Sequence, residues 1–216
     1  MPRGKFITLE GPDGSGKSTH ARILAERMTA AGYALITVRE PGGTQVGEAI
    51  RQLLQADAAD APLAAEAELF LFMASRAQLV RQVIRPALEQ GQHVICDRFA
   101  DSTSAYQGYG RGMDLERILM INALAVQGLE PDLTLLLDVP VAAGFERLRQ
   151  RSAATSAQPD RMERAGGPFH EQVRSGYLEL ALRWPDRIRR VDSSGPQAEV
   201  HAKIWSIVSD VLAGGN

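Results

Sequence analysis

The 216-residue chain carries 24 Lys and Arg against 26 Asp and Glu, a formal net charge of −2, and 44% of its residues are hydrophobic. That balance excludes a disordered chain and offers no excess of positive charge for general binding along nucleic acid, which is not an expected partner. A single cysteine, Cys96, excludes an internal disulfide or a Cys-rich metal site and fits a reducing, cytoplasmic setting.

The length suits one domain over residues 1–216. The first predicted strand is Lys5–Leu9 (KFITL); its apolar run breaks at Glu10, too short for a secretory signal core. A helix follows over Lys17–Ala31, stopped by Gly32, then a strand at Ala34–Val38 and a helix at Gln45–Leu54. Ala56–Ala67 reads as an Ala-rich loop, and Glu66–Gln90 as a long helix that Pro86 kinks or divides. The strand His93–Cys96 leads into a polar run, Asp101–Gly108. A helix at Leu115–Gln127, a strand at Leu133–Val139 and a helix at Val141–Arg151 come next. Ser152–Gly167 is a polar, small-residue loop; the helix Gly166–Leu182, a weaker fifth strand Arg187–Val191 and the helix Pro196–Leu212 complete the chain. No run approaches the ~18 apolar residues of a membrane span. Strands alternating with helices predict a mostly parallel sheet covered on both faces, with ligands beyond the carboxyl ends of its strands.

Gly11-Pro12-Asp13-Gly14-Ser15-Gly16-Lys17-Ser18 matches G-x-x-x-x-G-K-[ST], directly after the first strand and at the opening of the first helix. This is the context of a P-loop. Its glycines let the backbone turn tightly, so that main-chain N–H groups point at phosphate oxygens, and the helix N-terminus adds partial positive charge. Lys17, one of only three lysines, would reach the β- and γ-phosphates, and the Ser18 hydroxyl would bind Mg²⁺. No guanine-reading N/T-K-x-D string is present, and the four histidines have no metal-ligand spacing. At the end of the third strand stand Asp97, placed to join the Mg²⁺ shell, and Arg98, able to grip a phosphate bidentately.

Six segments share a family likeness: Glu10–Thr19, Arg39–Thr44 (REPGGT), Leu71–Arg76 (LFMASR), Cys96–Phe99 (CDRF), Ser102–Gly108 (STSAYQG) and Pro131–Thr134 (PDLT). In order and spacing they closely resemble the bacterial thymidylate kinase family, from about Phe6 to about Tyr177. The resemblance implies a three-layer P-loop NTPase fold, with a five-stranded sheet and a short lid at about 149–167. It implies the reaction ATP + dTMP → ADP + dTDP with Mg²⁺, and a homodimer. The donor would rest on Gly11 to Thr19. Phe72 would stack on thymine, Arg76 would bond the base carbonyl O4, and Thr103 and Gln107 would surround the base. Tyr106 would lie under the sugar and Asp13 would meet its 3′-OH. Arg51 and Arg98 would hold the acceptor phosphate, beside a turn at Glu40-Pro41 in which Pro41 is a candidate for the cis form. With Gly14 where some members carry a P-loop arginine, the lid would supply that charge; Arg161 is the first choice, with Arg149 and Arg151 behind it. Adenine would lie near the lid and Ser193–Gln197. The rival readings are a kinase for another pyrimidine nucleotide and a non-catalytic nucleotide-binding module.

Overall fold

The computed structural model describes residues 2–56, 63–155 and 165–214. Five strands, β1 (Phe6–Glu10), β2 (Leu35–Arg39), β3 (His93–Asp97), β4 (Leu133–Asp138) and β5 (Ile188–Asp192), form one sheet in the order β2-β3-β1-β4-β5. Every pairing is parallel, with Phe6 opposite Val94, Ile7 opposite Leu133, Leu35 opposite His93 and Thr134 opposite Ile188. A sheet of this kind is buried on both faces, and β1 and β4 are buried along their whole length.

Alternation along the central strand divides the core. Ile7 and Leu9 face α1 (Lys17–Ala30) and the last helix, α9 (Gln197–Ala213), packing with Leu24, Met28, Ile204 and Val208. Phe6 points the other way, into a cluster with Leu79, Ile84, Val94 and Phe99. On that second face Leu136 packs with Val173, Tyr177 and Leu180 of α8 (Gly167–Arg183). Each fully buried aliphatic side chain contributes about 1.5–3 kcal/mol, so both layers are held by ordinary hydrophobic burial.

Between these lie α2 (Gln45–Gln55), α3 (Ala65–Leu79), α4 (Arg85–Glu89), α5 (Ala100–Thr103), α6 (Leu115–Val126) and α7 (Val141–Thr155). The predicted long helix over 66–90 is divided as Pro86 requires. A π-helical turn, Val80–Ile84, separates α3 from α4, and Arg85 N–H donates to Val80 O, five residues back. The polar run after β3, to which the sequence assigns no element, is helical. It forms α5 and then a π-helical segment, Ser104–Gly110, closed by Arg111 N–H donating to Tyr106 O at 2.9 Å. Its Ser, Thr and Gly residues carry little helical propensity of their own; α8 packs against it so closely that Gly176 meets the Tyr109 ring. α7 likewise runs past the predicted Arg151 to Thr155, into the first part of the predicted lid.

Candidate active site

Four strands deliver their carboxyl ends to one cleft. β1 runs into the P-loop, β2 into Arg39-Glu40, β3 into Asp97-Arg98, and β4 into the start of α7. The P-loop lies against α7 with backbone on backbone. A Cβ on Gly14 would stand 2.2 Å from Gly144 O, and one on Gly144 would stand 2.5 Å from Asp13 O. Gly14 also has a φ of 76°, so both its conformation and its space exclude a side chain. Lys17 is buried with its Nζ donating to Gly11 O at 3.0 Å, Pro12 O at 2.8 Å and Ser15 Oγ at 3.4 Å. Burial, reinforced by the charge of Arg98, lowers its pKa to about 8.

Two chambers open from this region. The larger, about 590 Å³, is lined by Asp13 through His20, with Arg147, Arg151, Ser193, Gly195 and Gln197 among its other walls. The smaller, about 140 Å³, is lined by Pro41, Phe72, Arg76, Thr103, Tyr106 and Gln107 among others. Asp13, Glu40, Arg51 and Arg98 line both, so the chambers meet end to end at these four residues. The first chamber ends on main-chain amides at a helix N-terminus, suited to phosphate; the second has an aromatic ring and buried polar groups, suited to a planar base.

Arg98 is the hub of the junction. It has a φ of 69°, and its backbone N–H is fixed by Leu9 O at 3.0 Å. Its guanidinium pairs with Asp13 and donates to Gly11 O at 3.3 Å, Ser102 Oγ at 3.2 Å, Tyr177 OH at 3.3 Å and Tyr106 OH at 3.2 Å. Asp13 accepts a further bond from Tyr106 OH at 2.9 Å. Burial disfavours the Asp13 carboxylate, but Arg98 and Lys17 prevail and hold its pKa below the ordinary value. Arg51 donates to Pro41 O at 3.1 Å, and the Glu40–Pro41 peptide is cis.

On the base side Arg76 is 1% exposed and heavily committed. Its Nε and Nη2 donate to Glu40 Oε2 at 2.8 and 2.6 Å, its Nη1 to Thr103 Oγ1 at 3.0 Å and Asn122 Oδ1 at 2.7 Å, and its Nη2 also to Phe99 O at 3.0 Å. Burial raises the Glu40 pKa, against the opposing pull of Arg76. Leu69 and Met73 are core, whereas Phe72 is half-buried and lines the chamber.

Ser18 Oγ donates to Asp97, so the two predicted metal ligands stand together at the cleft. A hydroxyl and a carboxylate are hard oxygen donors; Mg²⁺ needs few from protein because water and phosphate complete its shell. The residues therefore fit this ion. Gly11 and Pro12 serve through their carbonyls toward Lys17, away from the chamber walls.

Of the lid candidates, Arg161 lies outside the described residues. Arg151 lines the donor chamber. Arg149 does not; it is 74% exposed and paired with Glu146 at 2.5 Å. Helical periodicity explains the placement, since Arg147 and Arg151 share a face that Arg149 leaves. Arg147, not singled out from sequence, donates to Ser193 O at 2.9 Å and Gly14 O at 3.4 Å. Sequence reading also missed Tyr177 and the buried Glu10. Glu10 accepts bonds from Phe99 N–H at 2.6 Å, Ser102 Oγ at 2.6 Å and Tyr177 OH at 2.9 Å. Burial, with the charge of Asp101 added, raises its pKa to about 7.

An all-parallel sheet with a P-loop after its central strand, a cradle for phosphates and a second chamber meeting it end to end define a P-loop nucleotide-binding protein built for two ligands. The family model described as thymidylate kinase matches residues 9–204. The chain is 48% identical over 211 residues to a thymidylate kinase of Deinococcus radiodurans, covering 97% of this chain and 98% of that protein. It is 51% identical over 209 residues to one of Desulfovibrio desulfuricans, covering 96% of each. A crystal structure of thymidylate kinase from Ehrlichia chaffeensis superposes with a TM-score of 0.75 at 34% identity, over 96% of this chain and 99% of that one. The chain belongs to the thymidylate kinase family.

Proposed function

We propose that this protein transfers the γ-phosphoryl group of ATP to dTMP, giving ADP and dTDP, with the donor in the larger chamber and the acceptor in the smaller. Family membership supports the reaction. The observation that carries the assignment of chambers is their meeting at Asp13, Glu40, Arg51 and Arg98, which brings two phosphate tails to one place.

The chemistry asks little of a base. A phosphate monoester has a second pKa near ~6, so an acceptor oxygen is already ionised at pH 7. That oxygen attacks the γ-phosphorus, the bond to the bridging oxygen breaks, and its electron pair leaves with ADP. The obstacle is repulsion between two anions, which positioning and positive charge overcome. Lys17 and the P-loop amides hold the donor. Mg²⁺, held through Ser18 and Asp97, would neutralise charge on the phosphates. Arg98 and Arg51 hold the acceptor phosphate. Phe72 covers one face of the base, Arg76, Thr103 and Gln107 surround its edge, and Tyr106 and Asp13 take the sugar. Arg151, Arg147 and Arg161 are the candidates for further charge at the γ-phosphate.

Val46 and Leu53 on α2, Phe70 on α3, and Met120 and Leu124 on α6 are exposed, on helices that neighbour one another. They support a homodimer through this region, to be checked by sedimentation. Among the described residues no helix is long and apolar enough to cross a membrane.

The test is steady-state ADP release with dTMP, dUMP, UMP, AMP and GMP. dTMP is expected to exceed each rival in kcat/KM by about tenfold or more, ~1.4 kcal/mol. Another preferred nucleotide would overturn the acceptor assignment, and turnover no greater than in buffer would favour a non-catalytic module.

A further inference from the structure

Behind the wall of the acceptor chamber, bonded to Gln107, lies a buried carboxylate to which no step of the reaction assigns work. Glu68 lies on α3 one turn before Phe72 and is 1% exposed. Its Oε1 accepts a hydrogen bond from Gln107 Nε2 at 2.7 Å, and its Oε2 one from Arg111 Nη2 at 3.4 Å. Arg111 in turn lies over the Phe169 ring, 5.1 Å from its centre.

A carboxylate paired with a guanidinium only accepts hydrogen bonds. Whichever way the Gln107 amide could otherwise turn, it must present its NH₂ to Glu68. Its carbonyl oxygen is thereby left for the chamber that Gln107 lines, and that oxygen has no hydrogen-bond partner among the described residues. Thr103, four residues before Gln107, lines the same chamber; its hydroxyl oxygen accepts from Arg76, whose own N–H groups are all committed, and its hydroxyl proton is left to donate into the chamber. The wall therefore offers a donor beside an acceptor. Thymine and uracil show the complement, the O4 acceptor beside the N3–H donor. Cytosine shows the reverse, an amino donor at C4 beside a bare N3 lone pair, and would set donor against donor and lone pair against lone pair.

We infer that Glu68 is a positioning residue for acceptor selection: it fixes the Gln107 amide with its oxygen toward the base, so that the site reads N3–H and rejects cytosine. This rests on the seating of the base in the smaller chamber. A site built to meet one hydrogen-bonding pattern rejects a base of the opposite pattern far more strongly than one differing by a methyl group.

The experiment compares kcat/KM for dTMP, dUMP and dCMP in the wild type and in Glu68→Gln. A glutamine at 68 can donate as well as accept, which frees the Gln107 amide to turn. The expected result is a fall of about tenfold or more in the dTMP/dCMP ratio, with the dTMP/dUMP ratio and the ATP KM unchanged. In a Gln107→Met background, Glu68→Gln should lower the dTMP/dCMP ratio no further. An unchanged ratio in folded Glu68→Gln, or an equal further fall in the Gln107→Met background, overturns the inference. A wild type with no preference for dTMP over dCMP instead overturns the seating of the base. If Glu68→Gln does not fold, nuclear magnetic resonance on the wild type decides. The Gln107 side-chain NH₂ bonded to Glu68 should exchange slowly with and without dTMP. Fast exchange, or a shift of that NH₂ to a different hydrogen-bond acceptor on adding dTMP, overturns the inference.

Discussion

Arg98 and Lys17 illustrate how single residues set the chemistry here. Lys17 is buried with a pKa lowered to about 8 by desolvation, and only main-chain and hydroxyl oxygens receive its protons. Phosphate oxygens are stronger acceptors for the same group. Lys17→Ala is expected to lower kcat by about 10²-fold or more, with the dTMP KM little changed; near-normal turnover in a steady-state assay would remove Lys17 from catalysis. The Tyr106 hydroxyl accepts from Arg98 and donates to Asp13. Tyr106→Phe leaves the ring but removes one hydrogen bond from each of Arg98 and Asp13, which stay paired with each other; a hydrogen bond to a charged group contributes about 1.5–3 kcal/mol. A loss of roughly tenfold or more in kcat/KM for dTMP is expected; an unaffected value would show that the hydroxyl positions nothing. Lys17, Ser18, Asp97 and Arg98 were legible because each sits in a contiguous string whose chemistry follows from its order. Glu10 and Tyr177 were not, since their hydrogen bond joins residues 167 apart in the chain. The outward turn of Arg149 was legible from helical spacing alone.

At the scale of elements, the site depends on close approach between segments. α7 crosses the P-loop at Gly144, with Asp13 O 2.5 Å from where a Cβ would lie. Within a helix, Ala is intrinsically better than Gly by about 0.8–1.0 kcal/mol. Gly144→Ala is nevertheless expected to weaken ATP binding by about tenfold, because the P-loop or the helix must shift. Calorimetric titration checks this, and equal or tighter binding would mean the contact is dispensable. Strands and most helices were readable from periodicity, because the sheet is buried on both faces and its runs are continuous. The π-helical turn at Val80–Ile84 was signalled by Pro86, whereas the segment Ser104–Gly110 was not signalled by any residue in it. α8 imposes that conformation through tertiary packing, which local propensity does not record.

For the whole molecule, the buried carboxylates tie stability to pH. Glu10 titrates at about 7 in the fold against 4.5 ordinarily, with desolvation as the chief cause. The folded chain therefore keeps a proton that the unfolded chain has lost. Its contribution to stability is fully present below about pH 4.5 and is lost as pH rises to about 7. Glu10→Gln is expected to flatten the fall in unfolding free energy across that window, measured by urea titration at several pH values. A slope as steep as in the wild type would assign the effect to other groups. The two chambers meeting at Arg98 remain the feature from which function follows. The most direct measurement is a crystal structure with dTMP and a non-hydrolysable ATP analogue bound together. The expected result places thymine on Phe72 and a dTMP phosphate oxygen about 3–3.5 Å from the γ-phosphorus, in line with the bond to be broken. Finding dTMP lodged elsewhere, or its phosphate turned away from Lys17 and Arg98, would contradict the account.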